Sequence, residues 1–384
     1  MLTDLEQGFL AEFGHKPEAI IQSPGRINLI GEHVDYLDGL VLPLTIDRYI
    51  YAGIAANGED VIRIKTDFSK GAYAEISVHH QNKETGDRSW LNYIIGVLRS
   101  FSRNEVKIPG FNMYLSSTLP SGAGLSSSAA LTTATSMALE ILTKTSISPV
   151  SRALNCQKVE HEFAGVPCGI MDPLIISASL EGQALLIDCS NLELTYLHFP
   201  EGVSVVVADT MVQHSLADGE YRKRRGECEM AAKVLKVLSL RKATLAQVES
   251  EKHLLGNKLY RRARHAVSEM QRVGEFAEAL KNRNFEVVGQ KMRESHESLR
   301  DDFEVSCPEL DALAEAAWEW GLERGLIGSR MTGAGFGGST VSLVATASVN
   351  PFMEHLCQRF QTAFGKQLRP FVTSPGTEAK IHRL

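Results

Sequence analysis

From residue 119 to residue 130 the chain reads Leu-Pro-Ser-Gly-Ala-Gly-Leu-Ser-Ser-Ser-Ala-Ala, and a helix-forming run over 129–139 follows. Few local folds satisfy that order. Gly122 and Gly124 open backbone conformations closed to other residues and let the main chain approach a ligand closely. Ser126, Ser127 and Ser128 then lead into a helix whose first N–H groups have no partner within the helix and whose dipole favours negative charge. Phosphate is the anion that suits such a turn. Serine hydroxyls there add hydrogen bonds or a metal contact. The competing reading is an ordinary serine helix cap. A run of two glycines and three serines favours the anion site. No Gly-Lys-Ser/Thr occurs in the chain, so this is not a Walker A loop.

The rest of the chain must supply a body for that turn. Its 384 residues allow two domains and a sizeable core without staples. The net charge of −6 argues against a nucleic-acid surface, which needs clustered basic residues. Six cysteines are scattered without a Cys-x-x-Cys pair, which excludes zinc-finger and redox-motif spacings and suits a reducing cytoplasm. No apolar run nears the 18 or so residues of a spanning helix, and the first residues lack the apolar core of a signal peptide. No membrane partner is expected.

Residues 1–15 carry apolar side chains at helical spacing, 49–80 read as strands, and 219–325 read as mostly helix. Strand-like stretches at 184–188 and 203–209 flank a polar segment at 191–200, read as the lobe boundary. The expected lobes are 1–197 and 198–384. Interleaved helices and strands make the class α/β or α+β.

Three further segments carry chemistry. In 328–338, Gly333, Gly335 and Gly338 match Gly-x-Gly-x-x-Gly, but a strand-like stretch follows where a dinucleotide site needs a helix. A glycine loop closing over an active site fits better, with a tight inter-strand turn as the alternative. In 23–36, Arg26, Glu32, His33 and Asp35 stand close together beside two glycines, a donor and acceptor set suited to a polyol. A solvated turn with local ion pairs is the plainer reading. In 160–172, Asp172 follows the apolar Gly-Ile-Met, where partial burial would tune and orient it, and Glu160 offers oxygen ligands to Mg²⁺; an N-capping Asp and an exposed Glu are the plainer readings of the two taken singly.

Taken in order, these motifs resemble the small-molecule kinase superfamily of galactokinase, homoserine kinase, mevalonate kinase and phosphomevalonate kinase. The segments SPGRINLIGEHVDY, CGIMD, HSLADGEYRKRRGECE and SHESLRDDFEVSCPELD are similar to the galactokinase family within it. The resemblance implies a lobe like ribosomal protein S5 domain 2, a ferredoxin-like second lobe, and an active site between them. It implies ATP, Mg²⁺ and phosphorylation of the anomeric hydroxyl of galactose by a cytoplasmic monomer. By position, Asp172 corresponds to the group that orients or deprotonates the sugar hydroxyl, and Arg26 to its charge partner. Glu32, His33, Asp35, Gly169 and Tyr221 correspond to sugar contacts, and Ser128 and Glu160 to Mg²⁺ ligands. Gly122, Gly124, Ser126, Ser127 and Ser128 correspond to the phosphate loop. Trp90 and Tyr93 correspond to the wall near adenine, or else form a helix face packed on the core.

The chain departs from the family's usual residues at Leu37, Pro173-Leu174 and Gln213. Another sugar, such as L-arabinose or N-acetylgalactosamine, is therefore an alternative substrate. A non-catalytic sugar and ATP sensor is the alternative of a different class.

Overall fold

Each stretch read as helix or strand forms that element, and further strands arise outside those stretches, β8 among them where a polar boundary was read. The computed structural model describes residues 2–68, 71–80, 82–120, 122–165, 168–212 and 217–383, with the side chains of residues 217 and 218 excepted. The first half runs α1 (Leu2–Phe13), β1 (Ala19–Asn28), β2 (Leu40–Val41), β3 (Pro43–Ala56), β4 (Val61–Thr66), β5 (Tyr73–Ser77), α2 (Asn92–Arg103) and β6 (Phe111–Ser117). It continues through α3 (Ser127–Thr143), α4 (Pro149–Val159), α5 (Met171–Ala178), β7 (Gln183–Asp188) and β8 (Glu193–His198). The second half runs β9 (Val203–Asp209), α6 (Ala217–Val234), α7 (Leu245–Ser250), α8 (Lys252–Lys281) and α9 (Phe285–Ser298). It ends with α10 (Pro308–Trp320), β10 (Leu326–Thr332), β11 (Ser339–Ala345), α11 (Val349–Phe364), β12 (Phe371–Thr373) and β13 (Lys380–Arg383).

Three sheets organise these elements, in the orders β13-β1-β3-β6-β4-β5, β10-β11-β9-β12 and β2-β7-β8. In the first, only the β4–β6 pairing is parallel among the described residues. β1 and β3 are buried along most of their length because both faces are covered. Leu5 and Phe9 of α1 seal one face, over Gly53, where a Cβ would lie 2.8 Å from Leu5. The helix α3, buried from Ala129 through Glu140, covers the other. The second sheet is antiparallel, with α9 and α10 against β10. This is the mixed α/β architecture expected from the interleaved pattern.

The segment 191–200, read from sequence as a polar boundary, contains β8, which pairs with β7. Its residues are exposed apart from the half-buried Leu194 and Leu197, because β8 is the edge of a small sheet. Polar side chains are tolerated there, and the alternation of a half-buried strand is lost. The 197/198 division falls within the end of β8. From the second half, β13 returns to pair with β1. Among the described residues, no helix is long and apolar enough to cross a membrane.

Candidate active site

A bulge in β1 sets the first catalytic candidate. The β1–β3 register shifts between Pro24 and Arg26. Gly25 is needed at that point, because a Cβ would meet Leu119 at 2.3 Å and the Leu125 carbonyl at 2.9 Å. Arg26, 6% exposed, is thereby aimed at the start of α5. Its Nε and Nη2 donate to the two oxygens of Asp172 at 2.8 and 2.6 Å, a two-pronged pairing that fixes the carboxylate plane. Its Nη1 donates to the Gly124 carbonyl at 2.6 Å, tying the pair to the Gly/Ser loop.

That loop opens α3 as its sequence predicted. Gly122 and Gly124 have φ of 79° and 73° and are exposed, as is Ser127. A Cβ at Gly124 would meet nothing within 4 Å, so the glycine serves its positive φ and leaves room over the helix end. Ser126 makes a contact that the sequence did not signal. It stands in the left-handed region at φ 59°, 8% exposed, and its hydroxyl donates to Asp172 Oδ2 rather than capping the helix. Ser128 donates to Glu160 Oε2 at 3.4 Å.

Glu160 begins a π turn, Glu160–Ala164, that continues α4. Such turns shift a side chain off the face a regular helix would give it. Glu160 is 5% exposed, and its Oε1 is buried without a partner. Burial first, and the Asp172 charge second, push its carboxyl up to about 7. An orphaned buried carboxylate oxygen beside a hydroxyl is a donor set that suits a hard cation. Among the described residues no cluster of three or more His, Cys, Asp or Glu could hold a metal. Mg²⁺ keeps several waters and takes one or two protein oxygens together with substrate phosphates, so the Ser128 and Glu160 pair fits it.

Next to this pair lies a cavity of about 190 Å³ lined by Arg26, Glu32, His33, Asp35, Ser128, Glu160, Cys168, Gly169, Met171, Asp172, Tyr221, Gly333 and Ala334. The structure thus brings together the sugar-signature residues, Gly169 before α5, Tyr221 of α6 and the glycine hairpin between β10 and β11. The Gly333–Gly338 segment is an inter-strand turn, and its Gly333 and Ala334 line the cavity. His33 sits at φ 63°, 4% exposed, stacked near Tyr36, Tyr221 and Phe303. Its Nε2–H donates to the Ala334 carbonyl at 2.9 Å and its Nδ1 accepts from the Tyr36 hydroxyl at 2.9 Å. The carbonyl partner assigns the proton to Nε2. Burial holds its pKa down near 4, so the ring is neutral. Burial likewise pushes Asp35 up to about 7, helped by Asp172 and Glu32.

Glu32, 2% exposed, is held from several sides. Its Oε2 accepts from Asn28 Nδ2 at 2.9 Å. Its Oε1 accepts from the Gly333 N–H at 2.8 Å, Thr332 Oγ1 at 3.1 Å and Arg330 Nη1 at 3.3 Å. Arg330 and its partner Glu269 were not singled out from the sequence. Neither stands in a motif that signals its role, and their partners are distant in the chain.

Trp90, in a 3₁₀ turn over Gly86–Leu91, and Tyr93 of α2 are half-buried against the main core and lie outside the cavity lining. Leu37, 5% exposed, faces a separate cavity with Cys228 and Leu240, and Pro173 is fully packed in α5. Neither lines the sugar-signature cavity. Gln213 lies outside the described residues.

Two family models define the class. One described as the GHMP kinases N terminal domain matches residues 92–180, and one described as GHMP kinases C terminal matches 276–360. The fold is therefore that of a small-molecule kinase of this class. A third model, the galactokinase galactose-binding signature, matches residues 7–56. Galactokinase of Canis lupus familiaris is 40% identical over 366 residues, covering 94% of this chain and 92% of that protein. Galactokinase of Chloroflexus aggregans (strain MD-66 / DSM 9485) is 40% identical over 382 residues, covering 98% of this chain and 96% of that protein. The crystal structure of Lactococcus lactis galactokinase complexed with galactose matches with a TM-score of 0.94 at 30% identity, over 100% of both chains. Methanococcus jannaschii mevalonate kinase shares the fold alone, with a TM-score of 0.65 at 21% identity over 93% of this chain and 98% of that one. The chain belongs to the galactokinase family.

Proposed function

We propose that Asp172 and Arg26, at the meeting of the sugar-signature cavity and the N-terminus of α3, carry out the family's reaction in this chain. That reaction is ATP-dependent phosphorylation of the anomeric hydroxyl of galactose. The observation that carries the assignment of roles is the two-pronged Arg26–Asp172 pair, joined to the phosphate loop through the Gly124 carbonyl.

In this reading the sugar lies among Glu32, His33, Asp35, Gly169 and Tyr221, with its reacting hydroxyl at Asp172. The ATP phosphates lie over Gly122, Gly124, Ser127 and the first turn of α3. Phosphoryl transfer needs mostly positioning and charge stabilisation. Arg26 and the free N–H groups of α3 supply positive potential where charge develops. A carboxylate is a far weaker base than the alkoxide of a sugar hydroxyl. Asp172 therefore orients the hydroxyl first and takes its proton late, as the bond to phosphorus forms. Ser128 and Glu160 would hold Mg²⁺, which when bound neutralises charge on the phosphates. Trp90 and Tyr93 remain the residues we assign to the adenine side.

The position of Leu37 and Pro173 outside the cavity lining supports galactose over a sugar with a different shape, because these two departures from the family pattern do not line the pocket. The six free cysteines suit a reducing cytoplasm. The test is an ADP-release assay over a panel of sugars with Asp172→Asn in parallel. The expected result is turnover with galactose that the variant lowers by about 10²-fold or more. Full activity of Asp172→Asn would remove the role given to Asp172.

A further inference from the structure

The loop that carries the sugar signature is held by the second half of the chain. The Gly31 N–H donates to Glu269 Oε1 at 3.0 Å. The Glu32 carbonyl meets His265 Nε2 at 3.2 Å. Arg330 Nη1 reaches the Asn28 carbonyl at 3.3 Å, the Leu29 carbonyl at 3.4 Å and Glu32 Oε1 at 3.3 Å. Helix α8 and strand β10 thus grip the loop from residue 28 to residue 32.

Arg330 is the centre of this grip. It has 0% exposure and stands between two buried carboxylates, Glu32 at 3.3 Å and Glu269 at 4.0 Å. Its Nε and Nη2 have no hydrogen-bond partner. Glu269 is already supplied by Arg272 at 2.8 Å and by the Ser295 hydroxyl at 2.6 Å, so it does not depend on Arg330 alone. An arginine kept for stability would have its donors satisfied, and buried ion pairs contribute little stability compared with apolar packing. What Arg330 does supply is direction. Its Nη1 aims at the same Glu32 oxygen that receives Thr332 and Gly333. Those three donors leave the other oxygen, Oε2, with Asn28 as its described partner and capacity for one further donor.

We infer that Arg330 is a positioning residue for sugar recognition, acting through Glu32 by fixing which carboxylate oxygen faces the cavity. The inference rests on the reading that Glu32 contacts the sugar. It predicts that the kinetic effect of losing Arg330 appears in the sugar term and vanishes when Glu32 no longer needs orienting.

The experiment is a double-mutant cycle on the full chain with Glu32→Gln, Arg330→Met and their combination, reading KM for galactose and for ATP. Arg330→Met should raise KM for galactose by about tenfold while KM for ATP does not follow, and should add less than about twofold in the Glu32→Gln background. Arg330→Lys keeps the charge and should recover part of the loss, and it carries the same cycle if Arg330→Met does not fold. A full, additive effect of the Arg330 change in the Glu32→Gln background overturns the inference, as does an equal rise in both KM values. If Glu32→Gln alone leaves KM for galactose at the wild-type value, the sugar contact of Glu32 is what fails.

Discussion

The Asp35 carboxylate occupies the space that a side chain on residue 169 would need: a Cβ there would lie 1.7 Å from Asp35 Oδ2. Gly169 lies just before α5, so this absence of a side chain lets Asp35 and Asp172 share one cavity. Gly169→Ala should push the Asp35 carboxylate aside and raise KM for galactose by about tenfold or more, leaving KM for ATP near wild type. Steady-state kinetics with each substrate varied in turn check this. An unchanged KM for galactose would show that Asp35 has another place to go.

Ser126 predicts a split between rate and stability. Its hydroxyl is a third donor on Asp172, and its backbone sits at φ 59°, where a side chain costs about 1–2 kcal/mol. Ser126→Ala and Ser126→Gly both remove the donor and should both lower kcat. The glycine variant should be the more stable of the two by about 1 kcal/mol. Urea denaturation beside initial rates separates the two effects.

Asp35 gives the protein a pH dependence whose sign can be worked out. Burial raises its folded pKa to about 7 from an ordinary 3.8. The folded state therefore binds the proton more tightly than the unfolded chain, and this group's stabilising contribution is lost as pH rises through the folded value. His33 and His265, held down near 4 and 3, contribute with the opposite sign below about pH 6.5. The Asp35 effect is therefore read as a difference. Asp35→Asn should gain stability over wild type by about 1.4 kcal/mol per pH unit between pH 4 and 7, then level off. A constant difference across that range would mean that Asp35 is not held neutral.

Glu160 should govern the metal requirement. With Glu160→Gln the Mg²⁺ concentration giving half the maximal rate should rise by about tenfold or more. Binding of galactose to the same variant, followed by calorimetry without nucleotide, should stay close to wild type.

Much of this site was readable along the chain because its parts are local. The Gly/Ser loop, the Arg26–Asp35 stretch and the Glu160–Asp172 stretch each announce a turn or helix end by residue type. What was not readable depends on partners brought from far away. Ser126 read as a phosphate ligand, since nothing beside it signals that Asp172 would take its hydroxyl. In the 328–338 motif the glycines drew the reading, while Arg330 gains its meaning from Glu32 and from Glu269 in a helix that reads as a mixed-charge face. The strand β8 was missed for the opposite reason: at a sheet edge, burial puts little pressure on its composition.

The pairing of Ile21 with Ile381 joins the two ends of the described chain in one sheet. During synthesis β1 leaves the ribosome with an open edge and keeps it until residues 380–383 have been made. Contacts of such long separation slow folding, and an unpaired edge invites association with other chains. The strand that aims Arg26 is therefore finished late, and a nascent chain stalled before residue 380 carries Arg26 on a sheet whose flank is still bare.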